Sequence, residues 1–332
     1  MAMRALPDLK VRRSDWISGA NVVLHLGFVF APILLAAYLG GWASMLVGLL
    51  WFGISQNSIA NLMHETAHRL VFRQNAWSDV LGRRILAPFF LTSFELYRRR
   101  HWVHHSQTGN EHDTKTTYLI RCEGGAALAI FAVRCLLGIE AVHRFLNTRK
   151  ENSFVKPLSA PEKTDSLVSL VVFHLVLCSV VLAVAYLGAG GKWSLALMNA
   201  VLAYGLVYIY GMMSLTIFLS TLRAIAEHQI VNDDVHTQGK ASIRNMRPTA
   251  VSRFLFGSYG FCEHGTHHAY PVIPHYNLPD ATRALAETKP ELTYGKSYWG
   301  VLASALRFHD HSVGPGRSPV PAPACRVESE TA

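Results

Sequence analysis

Residues 64–68 read His-Glu-Thr-Ala-His, a spacing that sets two imidazoles one helical turn apart on the same face of a helix. Alone, this is the H-E-x-x-H pattern of zinc peptidases, with Glu65 as general base. Three further stretches carry related chemistry. His101, His104 and His105 stand in RRRHWVHHSQTGNEHD, His228 in RAIAEHQ, and His264, His267 and His268 in CEHGTHHAYPVIPHYNLP. A catalytic zinc takes about three protein ligands, so nine histidines exceed its needs. Neutral imidazole suits iron, copper, nickel or zinc, and eight or more such ligands point to a pair of ions. The chain has no comparable set of Asp and Glu to build a carboxylate-rich di-iron site in a helix bundle.

The elements that must position these residues are apolar. Of 332 residues, 50% are hydrophobic and 16% charged. Residues 17–39, 42–63, 166–187 and 193–222 are each long enough, at ~1.5 Å per residue, to cross a ~30 Å hydrocarbon core. Gly40 and Gly41 separate the first two stretches and GAGGK the last two. The expected fold is therefore an all-α integral membrane protein, with four transmembrane helices in two hairpins and a cytoplasmic helical cap holding a di-metal site. The first stretch is too long for a cleavable signal and runs straight into the second. With a cytoplasmic N-terminus, 30 of the 31 Lys and Arg face the cytoplasm and only Lys192 lies opposite, as the positive-inside rule asks. Every histidine stretch then falls on that same side, so a multi-pass protein with a cytoplasmic active site is expected.

Within this plan residues 1–312 form a single domain, and 313–332, rich in Pro, Gly and Ser, form a disordered tail. Residues 149–165 read as a polar loop. The stretch 124–142 carries Arg134 and Glu140 and reads as an amphipathic helix on the membrane surface, and 85–97 is too short to span and reads the same way. The net charge of +9 suits anionic headgroups or phosphate-bearing carriers, and no nucleic-acid motif competes. Five cysteines without framework spacing fit a reducing compartment.

HxxxH, HxxHH and HxxHH, in this order and threaded through two apolar hairpins, resemble the histidine boxes of the membrane fatty-acid desaturase superfamily, which also includes hydroxylases and ketolases. The resemblance covers roughly residues 15 to 300, and HHAYPVIPHYNLP resembles the usual continuation of the third box. It implies a non-haem di-iron centre held by His64, His68, His101, His104, His105, His264, His267 and His268, with His228 as a ligand contributed upstream of the third box. It also implies O2 as co-substrate and a lipid or fatty acyl substrate. A separate electron donor of ferredoxin, rubredoxin or cytochrome b5 type is implied too, because no haem-binding HPGG segment is present. The first box has three intervening residues, where the stearoyl-CoA type has four, and the third begins with His rather than Gln. Groups expected to orient the ligands are Asp113, Glu227, Glu65, Asn61 and Asn277.

The leading reading is thus an O2-dependent desaturase that introduces a C=C bond. The same site could serve a hydroxylase or ketolase of a lipid or carotenoid. An intramembrane zinc protease would need a later Asp ligand near an LDG-like motif, which the sequence lacks, and a metal transporter would place its ligands near the bilayer midplane. Among the remaining histidines, His25 and His174 read as packing or hydrogen-bonding residues inside spans. His112 and His275 flank boxes, and His143, His236, His309 and His311 read as surface. Arg98, Arg99 and Arg100 suit a carrier phosphate or headgroups, while Tyr204, Tyr208, Tyr210 and Phe218 read as packing. Ser55, Gln56, Asn57, Ser58 and Asn61 should face the bundle interior, since exposing them to lipid is costly.

Overall fold

The computed structural model describes residues 14–120, 124–231 and 237–307. The 313–332 tail, Cys122, Cys325, His236, His309 and His311 lie outside these described residues. Helix α1 (Asp15–Leu39) starts at Ser14, whose hydroxyl accepts the N–H of Ile17 at 3.3 Å, and Asp15 complements the positive end of the helix. It ends at Gly40, at φ 64°, where a Cβ would strike Asn199. Helix α2 (Gly41–Ala67) then packs along α1.

Helix α3 (Asn75–Leu81) continues through a wide π-type turn at Gly82–Leu86 and a last turn at Ala87–Phe89. There follow α4 (Phe94–Gln107), α5 (Gly124–Leu136), α6 (Ile139–Asn152) and α7 (Ala160–Gly188). Helix α8 (Trp193–Leu202) runs through π-type turns to Met213, breaks at Ser214, and resumes as α9 (Leu215–His228). The short strands β1 (Thr237–Gln238) and β2 (Ala241–Ser242) pair antiparallel. The remainder is α10 (Ala250–Leu255), α11 (His264–Ala269), α12 (Leu278–Leu285) and α13 (Tyr298–Arg307).

Four stretches, α1, α2, α7 and the α8–α9 run Trp193–His228, are long and apolar enough to cross a membrane. Helix α7 leaves Leu167, Val168, Val171, Val172 and Leu175 exposed, a continuous apolar flank suited to lipid. The polar run of α2 turns inward as expected: Ser55, Gln56, Asn57, Ser58 and Asn61 are all buried. The inner faces of α1, α2, α7 and α8 share one apolar core, centred on Ile33, Phe52, Val181 and Tyr208.

Several expected boundaries move. Helices α2 and α9 do not stop at residues 63 and 222 but run on to Ala67 and His228. Their last turns are polar in sequence, yet other segments bury them, so helix continues where hydropathy fades. Residues 124–142 do not make one surface helix. Gly138, at φ 71°, separates α5 from α6, and the two are bent by 82°. The stretch 85–97 does not lie on a surface either: Leu86, Ala87, Pro88 and Phe89 are buried. Two side chains of the bundle reach this turn: His174 Nε2 donates to Pro88 O at 3.2 Å, which also accepts the Leu91 N–H at 3.0 Å, and the Tyr208 hydroxyl donates to Phe89 O at 2.7 Å. Residues 149–165 are a loop only in their middle, because α6 reaches Asn152 and a Ser159–Glu162 capping box starts α7.

Candidate metal centre

Four segments distant in sequence deliver the histidines to one place. The last turn of α2 and its cap carry His64 and His68, α4 carries His101, His104 and His105, the end of α9 carries His228, and α11 carries His264, His267 and His268. They sort into two adjoining groups. In the first, one ring nitrogen each from His64, His68, His101, His105 and His267 lie within 4.8 Å of one another. In the second, His104, His228 and His268 meet, and His264 joins His228 beside Glu227. The rings of His105 and His268 stack at 4.2 Å and link the groups.

The donor spacing fits an ion. His68 Nε2 lies 2.7 Å from His101 Nε2 and 3.2 Å from both His105 Nε2 and His267 Nε2, while His105 and His101 are 3.1 Å apart. Two donors at right angles, each about 2.1 Å from one ion, stand about 3.0 Å apart. A neutral imidazole has one N–H, so four nitrogens aimed at one point cannot all satisfy each other by hydrogen bonding. His64 and His268 have neither ring nitrogen hydrogen-bonded among the described residues, although both nitrogens are buried. A buried imidazole with nothing to bond is costly, and a cation removes that cost.

The electrostatics keep these rings in their ligating form. Burial foremost, with neighbouring imidazoles or Lys115 acting in the same sense, holds His101, His105, His264 and His268 well below the ordinary imidazole value and His267 at about 3. Burial also lowers His104, partly opposed by Asp113. Neutral imidazole is the form that binds metal.

Around this set, the expected orienting residues divide. His104 Nδ1 donates to Asp113 Oδ1 at 2.8 Å, which leaves Nε2 for the second group. Asp113 also accepts from the Tyr118 hydroxyl at 2.6 Å and from the N–H groups of Gly109 and Lys115. Burial opposes its ionisation, but these donors outweigh it and hold the carboxyl below the usual range. Glu227 places Oε2 3.9 Å from His264 Nε2 while Oε1 accepts from the Tyr298 hydroxyl at 3.0 Å.

The other three candidates point elsewhere. Glu65 Oε1 takes the backbone N–H and Nδ1 of His275, at 2.9 and 3.2 Å, and so orients a residue outside both groups rather than a ligand. The reason is its helical position: one residue past His64, its side chain leaves α2 about 100° away. With Oε1 held by His275, Glu65 is not free for the general-base place that a zinc peptidase requires. Asn61 donates to Phe256 O and Ser258 O, both at 2.9 Å, and accepts from Arg223, so it pins the 256–258 backbone to α2. Asn277 is buried at the start of α12, where its N–H bonds to Pro274 O at 2.9 Å.

The remaining candidates find internal roles. His174 and Tyr204 bond to each other at 2.9 Å, Tyr210 donates to Leu136 O, Phe218 packs on Phe131, and His25 packs on Tyr259. His112 and His143 are exposed, whereas His275 is buried and also meets Asn21 at 3.2 Å. Arg98 bonds to Asp79, Arg99 to Glu162 and Arg100 to Thr114 O, so all three are tied into the fold.

Sequence reasoning missed several neighbours of the site. Lys115 Nζ sits 2.9 Å from His101 Nδ1, and burial, then Arg223, pushes it down to about 7. Phe261 stacks on His264 at 5.0 Å and meets His64 at 4.7 Å, with the Arg223 guanidinium 4.7 Å from its ring centroid. For Lys115 and Tyr118 the only local signal was proximity to Asp113, and for Phe261 and Arg223 proximity to His264 and Glu227.

The profile of the family described as "Fatty acid desaturase" matches residues 40–301, most of the chain and every histidine of the two groups. Comparison with curated proteins finds no match. The chain belongs to the fatty acid desaturase family, a family of oxidoreductases.

Proposed function

We propose that this member of the fatty acid desaturase family is an O2-dependent membrane di-iron oxidase that introduces a C=C bond into a fatty acyl chain. The observation that carries the reading is the convergence of nine imidazoles, seven buried and two half-buried, into two adjoining groups whose donor nitrogens stand at the spacing of ligands around one ion. His64, His68, His101, His105 and His267 would hold one iron, and His104, His228, His264 and His268 the other, with Glu227 beside the second. When bound, such a pair supplies reductive activation of O2 and removal of hydrogen from an unactivated C–H bond.

The chain's own residues do the rest. Burial keeps the imidazoles neutral, and Asp113 fixes which nitrogen of His104 faces inward. The groups sit where α2 and α9 end, so an acyl chain rising between membrane-spanning helices meets them at the boundary of the apolar bundle. That boundary is cytoplasmic when the 30 Lys and Arg outside the far loop are placed inside. Electrons come from a separate carrier protein.

The test is metal analysis of the purified chain together with lipid profiling of a host with and without it. About two irons per chain and a new double bond support the reading. A new oxygen in place of the double bond assigns the same site to hydroxylation or ketolation, and about one zinc without iron overturns it.

A further inference from the structure

Trp102 lies between the protein surface and the first histidine group. Its side chain is 43% exposed, yet its ring meets His68 edge-on at 4.8 Å and His105 at 6.1 Å. Other tryptophans are exposed too, and the ring contacts with two of the histidines set Trp102 apart from them. Helix α4 supplies its setting, since Arg98 and Arg99, one turn before Trp102, are its neighbours on the helix surface. Arg98 and Arg69 share Asp79, Arg99 takes Glu162, and Lys156 and Lys163 stand exposed where Arg99 bonds to Lys156 O and Pro157 O. The acids of this face are consumed in ion pairs, and positive charge is left over.

We infer that Trp102 is the port through which electrons reach the histidine groups, at the centre of a basic face that docks an acidic one-electron carrier protein. This rests on the di-iron reading above. An aromatic anchor beside an excess of charges of one sign is an arrangement that steers and seats a complementary protein. In each transfer the reduced carrier loses one electron and the metal pair gains one. The indole spans the gap, with its ring centroid 4.8 Å from that of His68 and 6.1 Å from that of His105, and no proton or group moves through it. Because α4 carries both Trp102 and three of the histidines, the docking face and the metal ligands share one rigid element.

The experiment uses the full chain in lipid nanodiscs and, as probe, an acidic [2Fe–2S] ferredoxin. Without metal, binding of ferredoxin is measured for wild type, Trp102→Leu and the double variant Lys156→Glu/Lys163→Glu, at about 50 and about 300 mM salt. The expected result is a Kd at least about tenfold weaker in both variants, and weaker for wild type at the higher salt. After iron loading, stopped-flow reduction by ferredoxin should slow at least about tenfold in Trp102→Leu. Reduction by dithionite should stay unchanged, and a wild-type melting temperature shows the fold intact. Equal binding and equal reduction rates in wild type and Trp102→Leu overturn the inference, as does a wild type that binds neither ferredoxin, rubredoxin nor cytochrome b5. Failure of the di-iron reading shows separately, as a chain that takes up no iron while the metal-free binding comparison still reads out the docking face.

Discussion

His104 and Asp113 form a buried pair, with Nδ1 2.8 Å from Oδ1 and both side chains 1% exposed. They stand nine positions apart, and the pair closes the turn after α4 so that His104 presents only Nε2 to the second group. Removing the acceptor frees the ring. Asp113→Ala should weaken metal binding about 10–100-fold, read by competition with a chelator. Unchanged affinity would show that the ring is oriented by something else.

The two groups make separable demands. His267→Ala takes a donor from the first group and His104→Ala from the second. Each should lower iron from about two per chain toward about one, and each should abolish the lipid product. Metal analysis with Mössbauer spectroscopy would tell which environment survives in each variant. Full iron content in both variants would dissolve the division into groups.

Glu65 gives a contrast, because it clamps the loop after α11 rather than a ligand. Glu65→Ala leaves the buried N–H of His275 unsatisfied and should cost about 1–3 kcal/mol of stability, seen as a lower melting temperature. Iron per chain should hold once the protein is folded at low temperature. Loss of iron with an unaltered melting temperature would make Glu65 part of the metal site after all.

Acid should destabilise the metal-free protein. The folded pKa values of His101, His104, His105, His264, His267 and His268 lie below the unfolded value of about 6.5. The unfolded chain therefore binds more protons than the folded one, and stability falls as pH drops through about 6.5, continuing toward the value near 3 of His267. Unfolding midpoints of the metal-free chain measured between about pH 8 and about pH 5 check this; a flat profile would mean the rings titrate alike in the folded and unfolded chain.

The order and spacing of the histidines were decisive in the sequence, because i, i+3 and i+4 placements fix which rings share a helix face before anything packs. Hydropathy likewise marked four membrane-length helices, since a lipid-facing stretch cannot hide its composition. Asp113 and Glu227 were legible by closeness to His104 and His228. Glu65 and Asn61 were legible only as polar residues near a box. Their direction depended on which loop came to meet them, and His275 and the 256–258 backbone lie far along the chain.

What the sequence alone determined, then, is the histidine inventory and the elements that carry it, for both are properties of local spacing and composition. Only the tertiary structure decided how nine imidazoles divide between two groups, that residues 86–89 pack into the bundle instead of resting on it, and that Trp102 touches His68 from outside. Those outcomes come from side chains of distant segments competing for the same buried volume, and no local pattern encodes which of them wins.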